Sequence, residues 1–154
     1  LDRVHQLRKE CDAILVGAET VVRDNPSLTI RRIETDRQPL RIVIDPHARI
    51  PSSSTVLNDA HETLHMTTTF RSLEALLNQL GDRDIHRLLV EGGPTTVHAF
   101  LDAGLVDEFY LVKSTVTHAH PVPSNLDSST LEKAGLSHAS DEQWGDETVE
   151  YWTR

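Results

Sequence analysis

Six consecutive residues, Glu91-Gly92-Gly93-Pro94-Thr95-Thr96, carry the most specific chemical signal in the chain. Leu88-Leu89-Val90 reads as a buried strand that ends in this carboxylate and glycine pair, and Pro94 opens a helix-patterned segment, Thr95 to Gly104. Glycine lets backbone approach a ligand closely, and the first N–H groups of a helix have no intrahelical acceptor. Such a strand–Gly-Gly–helix junction favours an anionic group, most often a phosphate. A glycine pair after a strand is also a common structural turn, and the residues alone leave both readings open. The dinucleotide fingerprint G-x-G-x-x-G and the phosphate loop G-x-x-x-x-G-K-[ST] are both absent, so a nucleotide site here is of another type.

A second constellation runs from Gly17 to Arg31 and begins where a short strand ends, the place at which open α/β sheets hold their ligands. Thr20 and Asp24 lie one helical turn apart and could hydrogen-bond one sugar or amide. Arg31 could grip a phosphate with two parallel bonds. Equally, Asp24-Asn25-Pro26 could be a plain turn and Arg31 a solvated charge. Arg8 on the first helix reads as a surface residue by default. Asp45 could be a ligand group or a strand-end turn former. Glu91 stands out, because a carboxylate ending a buried strand is costly unless it is paired or faces a site.

Nine histidines raise the question of metal. His61/His65 is an i, i+4 pair and His118-Ala119-His120 a close pair, but neither has a third ligand at recognisable spacing and H-E-x-x-H is absent. No metal site is expected. The zinc-deaminase signature and the G-x-S-x-G elbow are also missing.

These residues need elements to position them. Leu1, Val4, Leu7 and Cys11 recur at helical spacing and predict an opening amphipathic helix. Ala13 to Gly17 predicts a short buried strand, Gly17 to Asn25 a brief helix stopped by Pro26, and 28–30 an extended segment. Leu40 to Asp45 predicts the clearest strand, followed by short strands at 55–57 and 63–67. Leu73, Leu76, Leu77 and Leu80 mark a helix stopped by Gly81. After the junction and its helix, Asp107 to Thr115 and Val149 to Trp152 predict strands. The stretch 118–147 reads as loop with one short helix near 128–134. Strands alternating with helices indicate an α/β domain with a largely parallel sheet.

Length and charge bound the rest. The 154 residues, 38% apolar, suit one domain spanning 1–154. A net charge of −9 argues against nucleic acid and anionic membrane as partners. No run approaches a membrane span, no signal-like segment opens the chain, and the single Cys11 excludes an internal disulfide, so a cytoplasmic setting is the default. Twelve of the fifteen basic residues are Arg, a Lys-poor, acidic balance shared by salt-adapted proteins and by ordinary acidic ones.

The motifs Leu7-Arg8, Asp12 to Thr20, Asp24-Asn25-Pro26-Ser27-Leu28-Thr29-Ile30-Arg31, Pro39 to Asp45, and Leu89 to Thr95 with Gly104 to Glu108 occur in one order. Together they resemble the reductase family of riboflavin biosynthesis. That family includes the reductase half of bacterial bifunctional deaminase/reductases and the free-standing archaeal and fungal reductases. The resemblance implies a dihydrofolate-reductase-like three-layer α/β fold with a mixed, mostly parallel sheet. It also implies a homodimer and NADPH as cofactor, with NADH open. Such enzymes reduce the ribosylamino group of a pyrimidine 5′-phosphate to ribitylamino, through hydride delivery to the sugar C1′ of an opened imine.

By this resemblance Thr20 and Asp24 match cofactor-contacting positions. Gly92, Gly93, Pro94, Thr95, Thr96, Val97, His98 and Ala99 match the loop and helix start that hold the cofactor. Arg8, Leu28, Arg31 and Glu91 match substrate-contacting positions, and no catalytic proton donor is implied. The family's first strand would lie before Leu1, Pro46 replaces a frequent serine, and the match weakens beyond residue 113. With no deaminase motif, the chain resembles the free-standing type, which acts on 2,5-diamino-6-ribosylamino-4(3H)-pyrimidinone 5′-phosphate. The composition then points to a halophilic archaeal source. Two alternatives stand: a same-fold reductase for the deaminated intermediate or another pterin- or pyrimidine-like compound, and a non-catalytic nucleotide-binding module.

Overall fold

The computed structural model describes residues 2–113 and 124–154. Leu1, the end of the strand expected at 107–115, the His118/His120 pair and most of the weakly matching stretch from 113 to 123 lie outside the described residues. The chain divides into two compact units, Leu1–Thr96 and Val97–Arg154.

The first unit is built on a parallel sheet. Its elements are α1 (Asp2–Glu10), β1 (Ala13–Gly17), α2 (Ala18–Asp24), β2 (Leu40–Ile44), α3 (Thr55–Asn58), β3 (Thr63–Met66), α4 (Leu73–Gly81) and β4 (Leu88–Val90). The strands pair in the order β3-β2-β1-β4, all parallel, with Ala13 level with Leu40 on one side and Leu88 on the other. Ala13, Ile14, Leu15 and Val16 have no solvent exposure. Burial on both faces explains why β1 is a continuous apolar run without alternation, and why β2 is one apart from Arg41. Ile14, Val16, Ala18, Val21, Leu28, Val43, Ile50 and Val56 form the core around them.

Local chemistry sets the ends of the helices. Ser72 caps α4 by accepting from the Ala75 N–H at 3.1 Å. Asn25 closes α2 in the left-handed region (φ 41°), its N–H on the Val21 carbonyl at 3.0 Å. One expectation is corrected here. Residues 55–57 form the helical turn α3 and not a strand, because the Asn25 side chain accepts the Thr55 N–H at 2.8 Å and Ser54 turns on Pro51. Residues 28–30 join no sheet. Instead the Gln38 amide bonds both the N–H (2.7 Å) and the carbonyl (2.8 Å) of Ile30, taking the place of a neighbouring strand.

The helix α5 (Pro94–Asp102) begins in the first unit and runs into the second. The second unit adds β5 (Glu108–Lys113), α6 (Ser128–Lys133), β6 (Ser137–Trp144) and β7 (Glu147–Thr153). Its strands form a separate antiparallel sheet, β5-β7-β6, over a cluster of Leu101, Leu131, Leu136 and Trp152. The α/β class with mainly parallel pairing is as expected, and the antiparallel pairing is confined to this second sheet. Strand β6 falls where loop was expected. Its residues Ser137-His138-Ala139-Ser140-Asp141-Glu142-Gln143 are polar apart from Ala139, as suits an edge strand exposed along most of its length.

Candidate active site

The strand order defines a switch point. From β1 the chain moves to β2 and β3 on one side and to β4 on the other, so the carboxyl ends of β1 and β4 lie side by side where connections diverge. Open α/β sheets hold ligands in the crevice at such a point. Gly17 ends β1, and Glu91-Gly92-Gly93 continue β4, with the Glu91 N–H on the Leu15 carbonyl at 2.9 Å.

The two glycines of the junction have different duties. A Cβ on Gly92 would stand 2.7 Å from Thr96 Cβ, and one on Gly17 would stand 2.6 Å from Thr96 Oγ1. Both strand ends therefore lack side chains so that the first turn of α5 can pack on them. A Cβ on Gly93 would meet only Thr20 Oγ1, at 3.5 Å, so the backbone there keeps an open face. Its N–H donates to Thr20 Oγ1 at 3.1 Å, and its carbonyl accepts from Thr96 at 3.0 Å. The expected cofactor residue Thr20 thus fixes the junction itself. Asp24, one turn on, is half-exposed and pairs with its neighbour Arg23 at 3.1 Å.

Arg8 is no surface residue. Its Nε and Nη2 donate to the two Glu91 oxygens at 2.7 Å each, and Nη1 donates to the Thr29 carbonyl at 2.9 Å. The side chains are 11% and 20% exposed, so this bidentate pair is largely withdrawn from solvent. It answers the question that a carboxylate ending a buried strand raises. Glu91 is held rigidly, with each oxygen keeping acceptor capacity.

The Thr29 carbonyl belongs to the second constellation. Leu28 is buried with φ 54°, a left-handed backbone unusual for leucine. Arg31 donates from Nη1 to the Ser27 hydroxyl, which also pairs with Thr29 Oγ1 at 3.1 Å. The Arg31 N–H reaches Nδ1 of the buried His5 at 3.4 Å. Burial, and then the positive charges of Arg8, Arg31 and Arg32, hold the His5 imidazole below its ordinary pKa, so it is an uncharged acceptor at neutral pH.

Sequence reasoning missed the group that anchors this segment. Arg41 on β2 is completely buried. It donates to both Asp59 oxygens (2.7 and 2.6 Å) and to the carbonyls of Ser27 (2.8 Å), Val56 (3.1 Å) and His61 (2.6 Å). The signal was a lone charge inside an apolar run, Leu40-Arg41-Ile42-Val43-Ile44, because a buried guanidinium must find acceptors. Asp45 proves to be a turn former. It accepts from the N–H groups of Arg49 (2.8 Å) and Ile50 (3.1 Å) and contacts His65 Nε2 at 3.0 Å. Burial opposes its ionisation, but these donors outweigh that and hold its carboxyl below the usual range. Among the described residues, no three His, Cys, Asp or Glu side chains gather as a metal site, and no helix is long and apolar enough to cross a membrane.

Of the expected site residues, Arg8, Glu91, Thr20, Gly92, Gly93, Pro94, Thr95 and Thr96 stand at or behind the carboxyl ends of β1 and β4, and Leu28 and Arg31 on the segment that Arg8 and Arg41 tether. Val97, His98 and Ala99 continue α5 in the second unit, where His98 Nε2 meets the Ser124 carbonyl at 2.7 Å.

A parallel sheet with a switch point, closed by a glycine junction and a helix start, defines an open α/β unit of the kind that binds small anionic ligands at its carboxyl edge. Residues 1–116 match the family model described as RibD C-terminal domain, and the chain belongs to that family. It is 38% identical over 132 residues to the 2,5-diamino-6-ribosylamino-4(3H)-pyrimidinone 5′-phosphate reductase of Methanothermobacter thermautotrophicus, covering 70% of this chain and 61% of that one. It is 35% identical over 123 residues to the riboflavin biosynthesis protein RibD of Aquifex aeolicus, covering 67% of this chain and 35% of that one. The crystal structure of the diaminohydroxyphosphoribosylaminopyrimidine deaminase/5-amino-6-(5-phosphoribosylamino)uracil reductase of Thermotoga maritima superimposes with a TM-score of 0.79 at 27% identity, over 99% of this chain and 48% of that one. The fold is therefore the dihydrofolate-reductase-like fold of RibD reductase domains. The chain spans only about a third to three-fifths of the length of these relatives.

Proposed function

We propose that this chain is a reductase domain, 1–154, that uses NADPH to convert the ribosylamino group of 2,5-diamino-6-ribosylamino-4(3H)-pyrimidinone 5′-phosphate to ribitylamino. The observation that carries this reading is the meeting of two features at the carboxyl ends of β1 and β4. One is a glycine junction fixed by Thr20, and the other is a carboxylate, Glu91, clamped by Arg8. The open face of Gly93 and the start of α5 suit a dinucleotide diphosphate, so the residues fit the cofactor. Thr20, Asp24 and Gly92 to Ala99 are the residues assigned to it. When bound, the nicotinamide supplies the hydride.

The protein's own task is positioning, which can supply about 7 kcal/mol or more of a barrier. Arg8 immobilises Glu91, and the remaining lone pairs of its carboxylate accept from hydroxyl or amino groups of the substrate. Leu28, buried with a left-handed backbone, sets the course of the segment that presents Arg31. Arg31 makes no ion pair among the described residues and keeps N–H groups to grip the substrate phosphate. Homodimer assembly, a cytoplasmic location and a salt-adapted archaeal source belong to the same reading, the last supported only by the acidic, Lys-poor composition.

The relatives' names divide between the aminated pyrimidine, at 38% identity, and the deaminated one, at 27%. Anaerobic turnover of both compounds, each with NADPH and with NADH, tests the reading. Oxidation of NADPH on the aminated compound is expected. Turnover of the deaminated compound alone transfers the activity to that substrate, and no turnover of either defeats the proposal.

A further inference from the structure

We propose that Ser27 is the positioning residue that presets Arg31 for the substrate phosphate, an inference that rests on Arg31 being the phosphate holder. Ser27 is held at its carbonyl and at its hydroxyl. Its carbonyl accepts from Arg41 Nη1 at 2.8 Å, and Arg41 is itself immovable, fully buried and tied to Asp59 and two further carbonyls at 3.1 Å or less. Its hydroxyl accepts from Arg31 Nη1 and shares a bond with Thr29 Oγ1 at 3.1 Å. Thr29 is buried, and its carbonyl is held by Arg8 at 2.9 Å. An exposed arginine on a loop ordinarily samples many rotamers, and ordering it costs part of any bond it then makes. Here the ordering precedes the ligand.

Donor counting adds chemistry to the geometry. Arg31 has only donors, so in its contact the serine oxygen is the acceptor. The bond between the Ser27 and Thr29 hydroxyls uses one of their two protons and leaves the other unspent. That proton and the remaining guanidinium N–H groups make this corner donor-rich, and no carboxylate is bonded to it among the described residues. A phosphate monoester supplies the acceptors that these donors lack.

The test is calorimetric titration of the whole chain with ribose 5-phosphate as probe and ribose as its uncharged control, repeated in Ser27→Ala, Ser27→Thr, Arg31→Ala and the Ser27→Ala/Arg31→Ala double variant. Ser27→Ala is expected to weaken ribose 5-phosphate binding by about fivefold, the effect of one lost hydrogen bond, and to leave any ribose binding unchanged. Ser27→Thr restores the affinity to within about twofold, and Ser27→Ala adds nothing once Arg31 is gone. If Arg31→Ala weakens binding and Ser27→Ala does not, the role of Ser27 is overturned while the phosphate role of Arg31 stands. A Ser27→Ala effect that persists in the Arg31→Ala background also overturns it. If Arg31→Ala leaves binding unchanged, the underlying reading of Arg31 falls, and this inference with it. Unchanged thermal unfolding of the variants verifies that each is folded.

Discussion

Replacing Arg8 by methionine keeps an apolar stem of similar length and removes the guanidinium from Glu91. Two charge-assisted bonds of 2.7 Å and the 2.9 Å bond to the Thr29 carbonyl disappear together. At an effective dielectric near 20, opposite charges about 4 Å apart attract by about 4 kcal/mol. Part of that is offset, because removing the guanidinium also removes its own desolvation cost and the Glu91 side chain, 20% exposed, regains some water when its partner leaves. The net expectation is a loss of about 2–4 kcal/mol for Arg8→Met, against at most about 1 kcal/mol for an exposed pair. In a domain of this size that lowers Tm by roughly 5–15 °C. The Arg8→Met/Glu91→Leu double variant should recover at least half of the loss, because neither charge is then stranded. Urea unfolding of the four proteins of this cycle at pH 7, in low and high salt, measures the coupling. A coupling below about 0.5 kcal/mol, or one that vanishes in 1 M salt, would refute the argument that this pair is withdrawn from water and holds Glu91 rigid.

Gly92→Ala must push Cβ against Thr96 and is expected to cost about 1–3 kcal/mol, whereas Gly93→Ala, with only an ordinary contact to Thr20, should stay within about 0.5 kcal/mol; chemical denaturation separates them. Arg41→Met strands Asp59 and several carbonyls, so a loss of about 3–5 kcal/mol or failure to fold is expected, measured by denaturation or soluble yield. Acidification should weaken the fold in two windows. His5, uncharged in the fold with its pKa depressed, contributes stability that is complete above its ordinary value of 6.5 and is lost as pH falls through its folded value. Asp45, Asp59 and Asp12 are depressed carboxylates, so their contribution is present above the ordinary value of 3.8 and is lost only at lower pH. Thermal unfolding from pH 8 to 3 checks the signs, and His5→Gln should flatten the upper window alone.

The strands of the first unit were readable because β1 and most of β2 are buried, which writes β1 as an unbroken apolar run and β2 as one broken only by Arg41, while β4, half-buried, is a short apolar run marked by the glycine pair after it. The junction was readable because glycine, proline and a terminal carboxylate each have few structural uses. What escaped notice depends on partners distant in the chain. Arg8 and Glu91 are 83 residues apart, and nothing in a surface-like helix arginine marks which carboxylate it will meet. Arg41 betrayed its burial by sitting in an apolar run, but not its acceptors. Strand β6 was invisible to pattern because an edge strand exposed on most positions has no need to alternate. The Gln38 amide imitates a strand partner for Ile30, so a segment with strand-like composition stays outside the sheet.

In the proposed function, the junction between β4 and α5 cradles a dinucleotide, and Thr20 sets the backbone that meets it. Fluorescence titration of NADPH into the chain, compared with Thr20→Val, measures this contact. Saturable binding is expected, and Thr20→Val should weaken it by about fivefold or more, since the Gly93 amide loses its acceptor while the fold persists. Absence of NADPH binding, or equal affinity in a folded Thr20→Val protein, would contradict it.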